Sequence, residues 1–346
     1  MKHQGPPELP PSAIFMQALF GKIVTAALGG MARTGAADHM SLEPDSPPAI
    51  AARAGVNADA LSRVLRLLAS VGIFTQTEDG RYALNPVSAL LQRSHPESMR
   101  DVAIMMTDPW TMNAYSRFDH SLATGGDAVT AVYGKHAFDV FHDDPAQGEN
   151  FARAMTGFTT TLIPAVMEVA DFSPFRKMAD VGGSHGVVLS KILAANPALH
   201  GVLFDLPEVI RNAPAAGQFA AFPDRITYES GSFFERVPEG CDAYIMKHIV
   251  HDWDDERCRT ILSLMRDQLA AHAPDHGRVF LIEMVVPPVP DPVPAKFLDI
   301  EMLVCTVGGR ERSPAEFAAL FASAGLQLAG IKQTQSPVCL IEASLA

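Results

Sequence analysis

From Lys177 to the C-terminus, short apolar runs alternate with helical patterns, and this alternation constrains the fold more than any other feature. Met178–Val181, His200–Leu206, Ile226–Ser230, Asp242–Lys247 and Arg278–Val286 read as strands. Val187–Ala195, Asp254–Ala271 and Ser313–Ala324 read as helices. Two last runs, Gln327–Thr334 and Val338–Ala343, have no helix between them and should pair antiparallel. The expected fold class is α/β: a Rossmann-like, seven-stranded, mainly parallel sheet with helices on both faces.

At 346 residues the chain exceeds the usual size of a single domain, and its N-terminal part reads differently. Ile14–Met31 has helical spacing, and Pro48–Ala54 and Asn57–Val71 read as two helices joined at Gly55. Asn57 is the expected N-cap, with Leu61, Val64, Leu65 and Leu68 on one face. Gly72–Phe74 and Glu78–Leu84 read as a hairpin turning at Asp79-Gly80, which completes the outline of a winged helix. Residues 1–108 carry nine Lys/Arg against ten Asp/Glu, and the second helix of the pair offers only Arg63 and Arg66. A DNA reader concentrates positive charge on one face, so a packing or dimerisation module is the expectation. The net charge of -12 also argues against nucleic acid and anionic membrane surfaces as partners. No run of about 18 apolar residues is apparent, and Met1–Pro11 lacks the pattern of a secretory leader. Cys241, Cys258, Cys305 and Cys339 are too scattered for a disulfide framework or zinc site. A cytoplasmic protein with reduced thiols is expected.

Residues Asp180-Val181-Gly182-Gly183-Ser184-His185-Gly186 join the first strand of the alternating region to its helix. Glycines in such a turn let a ligand approach the backbone at the carboxyl edge of the sheet. An acid ahead of them repels a pyrophosphate but suits an ammonium. Asp205, at the end of the next strand, stands about where an acid grips a ribose diol. Together the two acids favour a nucleoside with a cationic tail, a description that fits S-adenosylmethionine.

Those two segments, with Gly231-Ser232-Phe233-Phe234, Met246-Lys247-His248-Ile249-Val250-His251-Asp252-Trp253 and Gly308-Gly309-Arg310-Glu311-Arg312, resemble the caffeate and hydroxyindole O-methyltransferase family. The likeness runs in register from about residue 10 to 346. It implies a winged-helix-like dimerisation domain (10–105), a helical connector lining the acceptor pocket (106–170) and a class I methyltransferase domain (171–346). It further implies that Asp180 and Gly182 line the cofactor tail, Asp205 holds the ribose, Ser232 and Phe233 flank the adenine, and Lys247 closes over the cofactor. S-adenosylhomocysteine would be the product, a small hydroxylated molecule the acceptor, and a homodimer the assembly. Two positions depart from the family: Ser184 stands where a third glycine is common, and Ser232 where an aspartate is usual. Losing charge assistance at Ser232 should weaken cofactor binding by ~1 kcal/mol.

Methyl transfer to a hydroxyl needs alignment and a base for the proton. A neutral imidazole suits a phenol at pH 7. His251 lies just past the fourth strand, and the resemblance makes it the base. His185 sits in the glycine turn, and His248 is expected to point to the other side of its segment. His120, His136 and His142 are expected in loops without partners. Glu283 is an acid within an apolar run, costly to bury unless paired. By resemblance Glu283 and Glu311 flank the histidine. Asp254, Asp255 and Glu256 read as the acidic first turn of a helix, and no metal is expected. Met155, Phe158 and Thr159 match an acceptor-lining helix of the family, and Asp252 and Met302 are expected at the same pocket, with Phe297 and Val304 near Met302. An apolar wall bearing methionine suits an aromatic or polyketide-like acceptor. The competing readings are a relative that binds the cofactor but hydroxylates, decarboxylates or rearranges its substrate, and a ligand-responsive DNA-binding protein.

Overall fold

The computed structural model describes residues 10–346, and the stretch 1–9, where the absence of a leader was inferred, lies outside them. The chain forms two compact units, one of residues up to 112 with 149–157, the other of 113–148 with 158–346.

The first unit begins with a helix over Pro11–Thr34, entered through prolines and closed by Gly35 at φ 67°. Helices Pro47–Ala54 and Ala58–Ser70 follow, joined at Gly55 in the left-handed region. The Asn57 side chain accepts a hydrogen bond from the Ala60 amide at 3.0 Å, the cap its sequence position implies. Strands β1 (Thr75–Gln76) and β2 (Tyr82–Ala83) pair antiparallel about Gly80 at φ 79°. Leu61, Leu65 and Leu68, one helical turn apart, pack with Ile50, Phe74 and Tyr82 into one core. Pro11–Thr34 is long and apolar enough to cross a membrane by length and composition, which corrects the expectation that no such run exists. Its Phe15, Leu19, Phe20 and Ile23 are exposed.

The second unit is built on β3 (Lys177–Val181), β4 (His200–Asp205), β5 (Ile226–Ser230), β6 (Ala243–Lys247), β7 (Arg278–Met284), β8 (Leu326–Gln333) and β9 (Val338–Leu345). Their order is β5-β4-β3-β6-β7-β9-β8, with β9 antiparallel to both neighbours and the other pairs parallel. Side chains alternate between two cores: Tyr244 and Met246 pack on one face, Ala243 and Ile245 on the other. Both faces are covered, as the apolar strands require. The chain leaves β3 for β4 and β5 on one side and returns to β6 and β7 on the other. The carboxyl ends of β3 and β6 therefore border the switch point where ligands bind in open α/β sheets.

Candidate active site

Past β3 the backbone turns at Gly182 (φ 73°), whose amide donates to the Phe204 carbonyl at 2.8 Å. That left-handed backbone favours glycine, and a Cβ there would also lie 2.7 Å from Ile249 Cδ1, so the isoleucine side chain would have to shift. Ser184 occupies φ 51°, a left-handed conformation that costs a side-chain-bearing residue of order 1 kcal/mol. The position where the family commonly has a glycine is thus one where glycine would relax. The Ser184 amide donates to Asp205 Oδ2 at 2.8 Å, and the Leu206 amide to Oδ1 at 2.7 Å. Asp205 braces the glycine turn and does not cap the helix Pro207–Asn212.

Asp180 is fully buried on β3, and its Oδ2 has no hydrogen-bond partner in the protein. Burial, with the nearby Asp205 charge, pushes its carboxyl up to about 7. An orphaned acidic oxygen beside a glycine turn fits a cationic ligand group. Phe233 packs edge-on against Phe234 and Trp253, and Ser232 Oγ accepts the Phe234 amide at 3.3 Å. Lys247 ends β6 with its ammonium 3.4 Å from His248 Nδ1; burial lowers its pKa against the pull of Glu283, Asp180 and Asp252.

Beyond β6 the chain enters a 3-10 turn, Val250–Asp252, that carries His251. Glu283 on β7 shapes this turn by accepting the Ile249 and Val250 amides through Oε1, at 3.1 and 3.0 Å. His251 Nδ1 lies 2.6 Å from Glu311 Oε1 and 3.8 Å from Glu283 Oε2, and Nε2 lies 3.5 Å from Asp252 Oδ1. Burial works against charge on the imidazole, yet Glu283, Asp252 and Glu311 outweigh it and push His251 up to about 10. The expectation of an imidazole neutral near pH 7 is corrected accordingly, because three acids rather than two surround it. Burial also pushes Glu283 up to about 7 and Asp252 up to about 6.

The glycine pair is explained by proximity. A Cβ on Gly309 would sit 2.4 Å from the His251 carbonyl, and Gly308 at φ 79° lies against Asp254. The Arg310 amide donates to that same carbonyl at 2.8 Å. Arg312, which sequence reasoning missed, is fully buried and donates to the Val250 carbonyl at 2.9 Å, the Trp253 carbonyl at 2.9 Å and Asp255 at 2.7 Å. It pins the turn bearing His251 to the start of helix Asp255–His272. An arginine directly following the proposed catalytic acid Glu311 was the available signal. Asp254 caps that helix through the Arg257 amide at 2.8 Å, which accounts for the acidic run there.

Other expectations need correction. His248 does not point away: its ring stacks on His251 with centroids 4.9 Å apart and planes 19° from parallel. His120 lies in the helix Phe118–Thr124 and His142 in Ala137–Asp143, while His136 caps the latter and stacks on Trp253 at 5.7 Å. Thr159 and Met302 are buried, Phe158 and Asp252 half-buried, Val304 is core, and Phe297 is exposed. Met155 belongs to segment 149–157, which groups with the N-terminal unit.

Residues 115–327 match the family profile of the O-methyltransferase domain. The chain belongs to the O-methyltransferase family. Residues 16–94 match the O-methyltransferase dimerisation domain, so the winged-helix outline belongs to that domain. The chain is 36% identical over 335 residues to the phenazine O-methyltransferase PhzM of Lysobacter antibioticus, spanning 97% of this chain and 96% of that one. It is 33% identical to the O-demethylpuromycin-O-methyltransferase of Streptomyces alboniger over 94% and 87% of the two chains. Among solved structures, the calicheamicin-biosynthesis methyltransferase CalO1 in its S-adenosylhomocysteine-bound form superposes with a TM-score of 0.87 at 31% identity, over 98% of this chain and all of that one. This O-methyltransferase uses S-adenosylmethionine, and the family bears out methyl transfer over the non-methylating chemistries and the DNA-binding reading.

Proposed function

We propose that this O-methyltransferase methylates a hydroxyl of a small aromatic or polyketide-like acceptor with His251 as general base. The observation that carries the reading is the 2.6 Å contact between His251 Nδ1 and Glu311; in this reading Nε2, 3.5 Å from Asp252 Oδ1, takes the acceptor proton. Glu311 fixes the ring, while Glu283, Asp252 and Glu311 stabilise the imidazolium that forms when the hydroxyl proton arrives. His251, Glu283 and Glu311 also present donor atoms within 4.8 Å of one another, but the engagement of Nδ1 favours proton transfer over metal binding. When bound, S-adenosylmethionine supplies a sulfonium methyl already activated by its positive sulfur. In this assignment Asp180 holds the ammonium of the cofactor, Gly182 gives room beside its tail, and Asp205 accepts from the ribose hydroxyls. Ser232 and Phe233 flank the adenine, and Lys247 closes the site.

Phe158, Thr159, Asp252 and Met302 are assigned to the acceptor pocket, and residues 106–170 to the connector between domains 10–105 and 171–346. The four buried, free thiols suit a reducing cytoplasm, a placement that fractionation of the native host would test. Relatives named for phenazine, 3-amino-4-hydroxybenzoate and caffeic acid substrates guide the choice of acceptors. Release of S-adenosylhomocysteine should depend on one of a panel of phenolic acids and hydroxyphenazines, and should persist with a chelator present. Cofactor binding without such release for any acceptor bound would oppose the reading, and so would loss of activity to the chelator.

A further inference from the structure

His248 combines three features that no other residue around His251 shares. Its backbone sits at φ 51°, where a side-chain-bearing residue is strained and glycine would not be. Its ring lies flat on that of His251, at 4.9 Å and 19°. Its Nε2 is buried without a hydrogen-bond partner, while Nδ1 faces the Lys247 ammonium at 3.4 Å. The left-handed turn also has a use. The His248 amide continues the ladder to Ile282 at 3.1 Å, and the next two amides swing onto Glu283. That turn needs only the backbone conformation, which glycine would supply more readily. A ring kept at a strained position, stacked on the proposed base, indicates that the ring itself is used.

We propose that His248 is a positioning residue, whose imidazole clamps the plane of His251 so that Nδ1 stays on Glu311 and Nε2 faces the acceptor oxygen. Offset stacking of aromatic rings at this separation is favourable. The charged and titratable groups around His248 favour its neutral form: burial, then Lys247 and His251, hold it well below the ordinary histidine range, while Glu283, Glu311 and Asp252 face His251. A neutral His248 carries no charge to repel the imidazolium beneath it. The role rests on His251 being the base.

The test compares His248→Gly and His248→Asn, which tolerate the left-handed turn but lack the ring, with His248→Phe, which keeps a flat ring without nitrogens. At saturating cofactor and acceptor, kcat should fall by about tenfold in the first two and recover to within about threefold in the third. KM for both substrates and the melting temperature should stay near the wild-type values. Crystals of wild type and His248→Gly with S-adenosylhomocysteine give a readout independent of turnover: the His251 ring should leave Glu311 in the glycine variant only. Full kcat in His248→Gly, equal loss in His248→Phe, or an unmoved His251 ring would each overturn the proposal. Failure of wild type to methylate any acceptor would count against the base assignment, while a rotated ring would still support the clamp.

Discussion

Buried acids set the character of this site residue by residue. Asp180 and Glu283 each hold one carboxylate oxygen on β3 and β7 without a hydrogen-bond partner, a costly arrangement unless a ligand or, for Glu283, the His251 imidazolium 3.8 Å away offsets it. For Asp180 a pH dependence follows. Its carboxyl is pushed up to about 7 by burial, so below that pH it is protonated in the free enzyme. An ammonium ligand requires the ionised form, so binding there must release a proton, and affinity falls as pH falls. Titration calorimetry should find S-adenosylhomocysteine binding roughly tenfold weaker at pH 6 than at pH 8, with proton release at the lower pH. A flat affinity across that range would remove Asp180 from the ammonium site. The acids were legible because each interrupts an apolar strand. The protonation state of His251 was not, since Asp252 reaches Nε2 only through the fold of the turn.

At the level of elements, strand positions were readable because apolar alternation and buried runs survive without tertiary information. Strands β3 to β9 all fall within two residues of where the pattern puts them, including the antiparallel final pair. Helices opened by proline escaped, Pro86–Ala89, Pro207–Asn212 and Pro294–Cys305 among them. Pro294–Cys305 begins in a proline-rich stretch that reads as loop, yet proline at a helix start is compatible with the first turn. Within the expected helical connector, Ala128–Tyr133 is a short separate helix, bracketed by left-handed Gly125 and Gly134 and capped by Asp127 on the Thr130 amide at 2.6 Å. Glycine marks both a loop and a helix end, and sequence alone did not separate them. The misplacement of His248 has one cause: strand alternation was extended past Lys247, where a single positive φ ends it. Arg312 escaped because its partners, the carbonyls of Val250 and Trp253, carry no sequence signature. The motifs carrying the catalytic and cofactor assignments were visible, while their mutual distances were supplied by β6, β7 and the Gly308-Gly309 approach.

For the whole molecule, the exposed apolar face of Pro11–Thr34 and the match of residues 16–94 to a dimerisation domain point to one assembly. We propose a homodimer with that helix at its interface. Light scattering at micromolar concentration should give twice the mass of the 37.2 kDa chain, and Phe15→Ser with Leu19→Ser should shift it toward monomer. A wild-type monomer would contradict this. Chemistry at the molecular scale reduces to whether one imidazole takes the proton of the acceptor. The decisive measurement is the rate of acceptor methylation by His251→Ala against wild type, with cofactor binding checked in both. A base in this position predicts a loss of about 100-fold to 10,000-fold in kcat with cofactor affinity retained. It also predicts a wild-type kcat/KM that climbs as pH rises above neutrality, because His251 must shed its proton before accepting another. Methylation within tenfold of wild type in His251→Ala would mean that the proton leaves by another route.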